Sequence, residues 1–382
     1  MARFTLPRDL YHGKGAMENL KNLKGSKAVI VVGGSAMKKN GFLQKAESYL
    51  KEAGMEVKII EGVEPDPSVT TVMNGAAVMA EFQPDWIVAI GGGAAIDCAK
   101  AVGARVAYPK RTVNQLGGKL KVWRKLPTLI AIPTTAGTGS EATLASMITD
   151  SSTHRKYAIM SFPLIPHYAV LDASLTYSLP PHLTASTGVD ALTHAVEAFI
   201  GRSTTNETRK LALEATKLVF ENVEKAYLNG NNHAARENML YAAHKAGIAF
   251  SKSYVGYIHA LAHSLGGKYG TPHGLANAVL MPYVLQAYGK KVYKKLHRLG
   301  IAAGVATKED APAAGAIKFI NAVKALNADM NIPDKLSGIK KEDIEALTKH
   351  AEKEANPLYP VPVLMTKKEL ESFYYQVADW SE

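Results

Sequence analysis

The stretch that decides the fold is DWIVAIGGGAAIDCAKAVGARVAY, residues 85–108. It begins with an apolar run, 85–93, that contains β-branched residues and ends in three glycines. A segment with the composition of a helix, 95–108, follows directly. A buried strand that passes through glycines into a helix is the repeating unit of a parallel α/β sheet. We therefore expect a strand, a tight loop and a helix here.

The same alternation occupies the rest of the first half of the chain. Apolar runs typical of buried strands and periodic segments typical of helices alternate along it. The predicted strands are 27–34, 56–62 and 126–134, and the predicted helices are 42–55 and 68–82. This pattern predicts a parallel sheet that is covered by helices on both faces.

The second half of the chain is predicted to be helical. Strand-like runs stop after TYSLPPHLT (176–184), where Pro180 and Pro181 mark the change. We therefore expect an α/β cofactor-binding domain at 1–181 and an all-α metal-binding domain at 182–382, with the active site in a cleft between them.

Composition excludes several classes of protein. The 382 residues carry a net charge of +11, but the basic residues are scattered and no nucleic-acid-binding motif accompanies them. The densest basic run, 289–300, has helical spacing and indicates a solvated helix face. The apolar runs are too short for a membrane span or a signal peptide, and the single cysteine, Cys98, favours a reducing compartment. We expect a cytoplasmic protein with neither a nucleic-acid nor a membrane partner.

Two loops are candidates for cofactor binding. The glycine loop after 85–93 would expose backbone N–H groups and a helix N-terminus, both of which favour a phosphate. It lacks the GxGxxG pattern, and an ordinary tight turn is the alternative. The loop IPTTAGTGSEAT (132–143) offers hydroxyl groups, although threonine, glycine and serine also form plain turns. Two such loops at the carboxyl ends of parallel strands favour a ligand site.

Histidine and carboxylate residues in the helical half indicate a metal site. His259, His263 and His273 lie within GYIHALAHSLGGKYGTPHGLANA (256–278), and a helix would place the first two on one face. Asp190 and His194 are also four residues apart, in an otherwise apolar helical segment. A buried hydrogen bond could account for Asp190 and His194 alone. Both clusters together favour a divalent metal held by a carboxylate and imidazole nitrogens.

The order of these motifs resembles the iron-containing, or group III, alcohol dehydrogenase family. The resemblance rests on GGGAAIDCAK, IPTTAGTGSE, TGVDALTHAVEAF, HALAHSLG and TPHGLANAVLMP, and extends from about residue 4 to the C-terminus. It implies a metal with four protein ligands, Asp190, His194, His259 and His273, and His263 as a nearby catalytic residue for proton transfer. Such a ligand set with an open position suits Fe(2+), although Zn could occupy the site in the isolated protein.

The resemblance also implies an activity and its binding residues. The activity is reversible hydride transfer between a nicotinamide and a small primary alcohol or aldehyde, by a homodimer or higher homo-oligomer. Phe250 and Tyr254 would line the substrate pocket. Tyr254 and Tyr257 stand where relatives often have glycine and leucine, and these two aromatic residues near His259 suggest a pocket of a different shape. The residues assigned to the cofactor are Gly34, Ser35, Lys38, Asp66, Gly91, Gly92, Gly93, Ala94, Asp97, Thr134, Thr135, Thr138, Ser140 and Lys156.

Departures from the family pattern suggest which cofactor is used. Members that use NAD tend to carry an aspartate after the first strand, where this chain has Gly34. A carboxylate there would repel a 2′-phosphate, whereas glycine with Ser35, Lys38 and Lys39 nearby would accept one. We therefore expect NADP to be preferred over NAD.

Three other interpretations compete with an alcohol dehydrogenase. A polyol-phosphate dehydrogenase or a dehydroquinate synthase-like lyase would share the fold, but the metal of both has three protein ligands, so His194 argues against them. A basic binding protein without catalysis would be expected to have lost ligand positions, and all four are present.

Overall fold

The computed structural model describes residues 6–153 and 155–381. The predicted domains begin at residue 1 and end at residue 382, and residues 1–5, 154 and 382 lie outside the described residues. The described chain divides into two compact units. One contains the chain up to Thr135 together with Gly139–Ser178, and the other contains Ala136–Thr138 and the chain from Leu179 onward. The change of unit at Ser178 falls a few residues before the boundary that the sequence predicts.

The first unit is built on parallel strands. Its strands are β1 (Asp9–His12), β2 (Lys27–Gly33), β3 (Glu56–Val63), β4 (Trp86–Gly91), β5 (Gly118–Lys119), β6 (Thr128–Pro133), β7 (Ala145–Asp150), β8 (Arg155–Met160) and β9 (Tyr168–Leu171). Six of them form a sheet in the order β1-β9-β6-β4-β2-β3, in which every pairing is parallel. The carboxyl ends of β2, β4 and β6, which are neighbours, therefore lie along one edge.

Helices cover both faces of this sheet. They are α1 (Ala36–Lys39), α2 (Phe42–Glu52), α3 (Val69–Phe82), α4 (Gly93–Ala107) and α5 (Val113–Leu116). Val29 and Val31 of β2 belong to the same apolar cluster as Val72 of α3. Ile30 of the same strand belongs to the opposite cluster with Leu50 of α2. Because alternate residues of β2 are buried in two different cores, the whole strand is apolar.

A second, smaller sheet was missed in the sequence analysis. Strands β7 and β8 pair antiparallel, and β5 pairs with β8 in parallel, giving the order β5-β8-β7. The two hairpin strands mix polar and apolar residues, as in ASMITD and RKYAIM, so they lack the continuous apolar runs of the main sheet.

The second unit is helical throughout its described part. Its helices are α6 (Pro181–Ile200), α7 (Asn206–Leu228), α8 (His233–Ser253), α9 (Tyr257–Tyr269), α10 (His273–Tyr288), α11 (Tyr293–Ala302), α12 (Pro312–Asp329), α13 (Ile344–Ala355) and α14 (Lys367–Val377). From Gly188 to Ile200 every residue of α6 is buried. A helix surrounded in this way must be apolar on all sides, so its few polar side chains need partners.

The predicted fold class is confirmed, since an α/β unit with a parallel sheet precedes an all-helical unit. Each of the strands and helices that the sequence predicted in 27–134 is present, with ends that differ by a few residues. Within the described residues, no helix has the length and hydropathy needed to cross a membrane.

Candidate metal centre and cofactor loops

Four side chains of the helical unit converge on one point. Asp190 and His194 come from successive turns of α6, His259 comes from α9, and His273 begins α10. One ligand atom from each of them lies within 4.8 Å of the others. The Asp190 carboxylate lies 3.5 Å from His273 Nε2, 3.9 Å from His259 Nε2 and 4.0 Å from His194 Nδ1. These separations are too long for good hydrogen bonds and suit atoms arranged around an ion.

The residues of this cluster fit a divalent metal. His194 Nδ1 and His259 Nε2 are both buried without a hydrogen-bond partner. A buried nitrogen left in this state costs about 1–3 kcal/mol, and a metal ion would accept its lone pair. Burial lowers the pKa of His194 well below its usual value, and the neighbouring His259 lowers it further. His194 is therefore neutral at pH 7, as a metal ligand must be. Three imidazole nitrogens and a carboxylate suit iron or zinc.

Glu197 holds the first histidine of α9 in place. It lies three residues after His194 on α6, and its Oε2 is 2.6 Å from His259 Nδ1. The same carboxylate accepts hydrogen bonds from the backbone N–H groups of Gly256 and Ile258, at 2.7 Å and 2.8 Å. It thus caps the N-terminus of α9 and directs the Nε2 of His259 towards the cluster.

A glycine allows the last histidine to approach Asp190. A Cβ atom at Gly274 would lie 2.3 Å from the backbone oxygen of Ser186, so any side chain there would push α10 away from α6. The amide of Asn277, one turn further along α10, donates to Asp190 Oδ1 at 2.8 Å and lies 3.1 Å from His273 Nε2. The sequence TPHGLAN therefore fixes His273 relative to the carboxylate.

His263 lies beside the cluster and does not belong to it. Its ring stacks on that of His273, with centroids 5.0 Å apart and planes inclined by 17°. Its Nδ1 lies 2.6 Å from Glu354 Oε1, which comes from α13. An imidazole that borders a metal cluster, with one nitrogen held by a carboxylate, is suited to proton transfer through the other nitrogen.

The aromatic residues assigned to the substrate pocket have different surroundings. Phe250 stacks on the His194 ring at 4.1 Å, so it borders the cluster. Tyr254 ends α8 with φ 62° and ψ 178°, a conformation that is essentially restricted to glycine. The expectation that Tyr257 shapes the pocket is wrong, because its side chain is fully buried. Its hydroxyl donates to Asn356 Oδ1 at 2.8 Å and accepts from the Met365 N–H at 3.1 Å, so Tyr257 belongs to the core.

In the α/β unit, the glycine loop connects β4 to α4, and its backbone lies close to the first turn of α4. Gly91 has φ +153°, and a Cβ there would lie 2.8 Å from the Cβ of Ala95. Gly92 is the N-cap of α4 and supplies no side chain to its first turn, which Gly93 and Ala94 begin. The N–H groups of that turn therefore have no side-chain cap, as expected of a phosphate site.

The second loop is joined to α4 through Asp97. Ser140 donates a hydrogen bond from its hydroxyl to Asp97 Oδ1, and the backbone N–H of Met147 donates to Oδ2 at 2.9 Å. Burial raises the pKa of Asp97, although nearby Lys100 opposes this. Thr134 is buried and Thr135 is half-buried, and a Cβ on Gly92 would lie 3.4 Å from the Thr135 side chain.

The remaining cofactor candidates occupy three places. Gly34, Ser35 and Lys38 are exposed at the carboxyl end of β2, and Gly34 has φ +56°. Asp66 follows β3 and pairs with Lys156 of β8, whose Nζ lies 2.5 Å from Oδ1. Thr138 falls in the short segment that belongs to the helical unit.

Comparison with known proteins shows which family has these features. A family model described as iron-containing alcohol dehydrogenase matches residues 7–173. A second, described as the C-terminal part of the Fe-containing alcohol dehydrogenase family, matches residues 184–378. The chain belongs to the iron-containing alcohol dehydrogenase family.

Individual members of this family are similar along most of the chain. An NADPH-dependent butanol dehydrogenase of Clostridium saccharobutylicum is 45% identical over 338 residues, which is 88% of this chain and 86% of that protein. A 1,3-propanediol dehydrogenase of Klebsiella pneumoniae is 38% identical over 368 residues, 93% of this chain and 94% of that one. The crystal structure of a 1,3-propanediol oxidoreductase superposes with a TM-score of 0.93 at 35% identity, covering 99% of this chain and 100% of that one.

Two carboxylates hold histidines of this iron-containing alcohol dehydrogenase, and neither was predicted from the sequence. A signal for Glu197 was present, since it is a charged residue in the apolar stretch THAVEAF. For Glu354 the sequence offered no such signal. It lies in HAEKEAN, within an amphipathic helix whose charged residues are mostly exposed.

The sequence analysis also missed Lys100, which is buried within the α/β unit of this family member. Its Nζ donates to oxygens of Ser140, Thr143 and Ala145 at 2.7–3.1 Å. Burial lowers the pKa of Lys100 to about 8, although nearby Asp97 opposes the shift. Lysine is usually exposed, so the sequence offers no signal for a lysine that anchors the second loop to α4.

Proposed function

We propose that this chain is a metal-dependent, NAD(P)-linked alcohol dehydrogenase that interconverts a small primary alcohol and its aldehyde. The observation that carries the proposal is the convergence of Asp190, His194, His259 and His273 with two buried, unpartnered imidazole nitrogens. The names of the similar proteins support the reaction, since they include a butanol dehydrogenase and 1,3-propanediol dehydrogenases.

The metal proposed for these ligands is Fe(2+), and Zn(2+) is the proposed substitute in the isolated protein. When bound, it would supply a Lewis acid for the oxygen of the substrate. Asp190 contributes a single negative charge, so a divalent ion held here would keep a net positive charge and would stabilise negative charge on the substrate oxygen. Phe250 stacks on the His194 ring and so covers one face of that proposed ligand.

His263 is proposed to exchange the proton of the reaction. In the reductive direction, a bound nicotinamide would supply hydride to the carbonyl carbon, and a proton must reach the oxygen. His263 is nearly buried beside His273, so it lies next to the metal ligands without being one of them. Its position supports the role of a general acid for reduction and a general base for oxidation.

The glycine loop and the second loop are proposed to bind the dinucleotide. The uncapped first turn of α4, after Gly91 and Gly92, is suited to the pyrophosphate. Asp97, Thr134, Thr135, Thr138 and Ser140 are proposed to hold the nicotinamide half, and Asp66 and Lys156 are proposed to lie along the cofactor.

NADP is proposed to be preferred over NAD. No carboxylate occupies position 34, and Ser35 and Lys38 are exposed beside it, where they could donate to a 2′-phosphate. The ion pair of Lys38 with Glu61 is long, 3.9 Å, and exposed, so little energy is needed to release the lysine. The 45% identical butanol dehydrogenase is described as NADPH-dependent, which supports this choice.

We also propose a cytoplasmic protein that forms at least a homodimer. The single cysteine, Cys98, is buried and free, which agrees with a reducing compartment. Light scattering of the purified protein would test the oligomeric state, and a monomeric mass would contradict it.

The reaction is tested by anaerobic turnover of the Fe(2+)-reconstituted protein with butanal, using NADPH and NADH in parallel. We expect metal-dependent oxidation of NADPH and a lower kcat/KM with NADH. His194→Ala removes a proposed ligand and should abolish turnover. His182→Ala is the matched control, because His182 lies exposed on the same helix. Equal kcat/KM values for the two nucleotides would contradict the NADP preference, and equal loss in both variants would contradict the ligand assignment.

A further inference from the structure

A carboxylate at the C-terminal end of α13 contacts the auxiliary histidine of the proposed active site. Glu354 lies in the last turn of α13, and its Oε1 is 2.6 Å from His263 Nδ1. The same oxygen accepts a hydrogen bond from the hydroxyl of Tyr359, also at 2.6 Å. The Glu354 side chain is 21% exposed and that of His263 is 8% exposed, so the contact is largely shielded from solvent.

The position of Glu354 is unfavourable for a carboxylate unless it has partners. The C-terminus of a helix carries partial negative charge, which destabilises another negative charge in the last turn. Burial would also raise the pKa of Glu354, but the interaction with His263 and the hydrogen bonds from His263 and Tyr359 lower it below its usual value. The carboxylate therefore stays ionised because of the histidine and the tyrosine.

The contact between Glu354 and His263 resembles the contact that a proposed metal ligand, His259, makes one turn earlier on α9. His259 and His263 are four residues apart, and each has its Nδ1 2.6 Å from a glutamate, Glu197 and Glu354 respectively. In His259 the opposite nitrogen, Nε2, is the atom that faces the metal cluster. The His263 ring is additionally held against His273 by stacking. In both rings the carboxylate thus occupies Nδ1, and Nε2 is the other nitrogen.

We propose that Glu354 is a positioning residue that fixes the ring orientation and the tautomer of His263 by accepting a hydrogen bond from Nδ1–H, so that Nε2 is the nitrogen left for the substrate. In alcohol oxidation, hydride leaves the carbon for NAD(P)+ and the hydroxyl proton passes to Nε2. In reduction both transfers run in reverse. The inference rests on the proposed function, because it needs a reaction in which His263 takes part.

A double-mutant cycle tests whether Glu354 acts through His263. We expect Glu354→Ala to lower kcat at least tenfold with little change in KM, and Glu354→Gln to lower it less, since an amide oxygen still accepts from Nδ1–H. In a His263→Ala background, Glu354→Ala should have no further effect on kcat. If Glu354 only stabilised the packing of α13 on α9, the same loss would appear in both backgrounds, and that result would overturn the inference.

The matched control is Asp343→Ala. Asp343 forms an ion pair with Lys268 at 2.9 Å and accepts from the Tyr269 hydroxyl at 2.8 Å, so it also fixes α9, but at the end away from His263. We expect this variant to keep the kcat of the wild type. A loss equal to that of Glu354→Ala would show that any weakening of α9 lowers turnover and would overturn the inference.

The tautomer of His263 gives a second measurement that does not depend on turnover. Zinc-loaded protein with ¹⁵N-labelled histidine allows the proton on each ring nitrogen to be assigned by NMR, with His263→Ala identifying the signal. We expect Nδ1–H in the wild type and loss of that preference in Glu354→Ala. An Nε2–H tautomer in the wild type would overturn the inference even if the enzyme is active. An inactive wild type with iron bound would instead refute the proposed function, and this inference with it.

Discussion

Exchange of Tyr254 for glycine and for alanine should reverse the usual order of stability of these two residues. Tyr254 has φ 62° and ψ 178° at the end of α8, between Phe250, whose carbonyl its N–H contacts at 2.7 Å, and Gly256 at the start of α9. This backbone conformation is accessible to glycine and strained for every residue with a Cβ. The position was noted in the sequence as one where relatives often have glycine, and the backbone conformation provides the physical reason.

The expected magnitude follows from two opposing terms. Strain in this region costs a non-glycine residue about 1–3 kcal/mol. Glycine at an ordinary position is about 0.5–1 kcal/mol less favourable than alanine, because its unfolded chain has more freedom. Both variants remove the same tyrosine ring, so the difference between them contains only these terms. We expect Tyr254→Gly to exceed Tyr254→Ala in free energy of unfolding by about 1 kcal/mol, which is about 2–4 °C in Tm for a domain of roughly 200 residues.

The assay is thermal unfolding of the two metal-free variants side by side, followed by circular dichroism. The same exchange at Lys252, which lies within α8 two residues earlier, is the control and should show the ordinary order, with alanine more stable. If the glycine variant is the less stable one at position 254 as well, the backbone at Tyr254 is not strained and the reasoning is refuted.

Three further predictions concern the loops and the metal centre. Lys100→Met should destabilise the protein by about 3–5 kcal/mol, because it leaves the buried oxygens around Nζ and the Asp97 carboxylate uncompensated; urea unfolding measures this, and a loss below 1 kcal/mol would contradict it. Glu197→Gln should weaken iron binding by about 10–100-fold, since His259 loses its charged partner; competition with a chelator measures the affinity, and an affinity equal to that of the wild type would contradict this prediction. Gly91→Ala should cost about 1–3 kcal/mol and weaken NADPH binding, measured by fluorescence, because the new Cβ meets that of Ala95; normal NADPH affinity would argue against this loop.

The main sheet was predictable because its physical signal is local. Strands buried on both faces must be apolar at every position, as in the KAVIVVG of β2, and glycines mark their ends. The hairpin of β7 and β8 lacked that signal, since its strands alternate polar and apolar residues over a short length. Pairing between β5 and β8 depends on residues that are distant in sequence, and no local pattern indicates it.

The predicted metal ligands do converge in the structure, because a spacing of four residues on a helix is itself a geometric constraint. Asp190 and His194 share a face of α6, as the sequence indicated. The residues that hold the histidines were harder to find, since Glu354 reaches His263 from a helix about ninety residues later in the chain. The prediction for Tyr257 failed because closeness in sequence to the ligand His259 does not place a side chain in the pocket. Tyr257 is buried in the core.

The central claim is that one metal ion, held by Asp190, His194, His259 and His273, is required for hydride transfer. The most direct measurement is an anaerobic titration of the metal-free protein with Fe(2+), in which NADPH oxidation by butanal is recorded at each addition. We expect activity to rise from zero and to saturate at one equivalent of iron per chain, and we expect Asp190→Ala to remove the saturable rise. Activity that is present without metal, or that Asp190→Ala leaves unchanged, would contradict it.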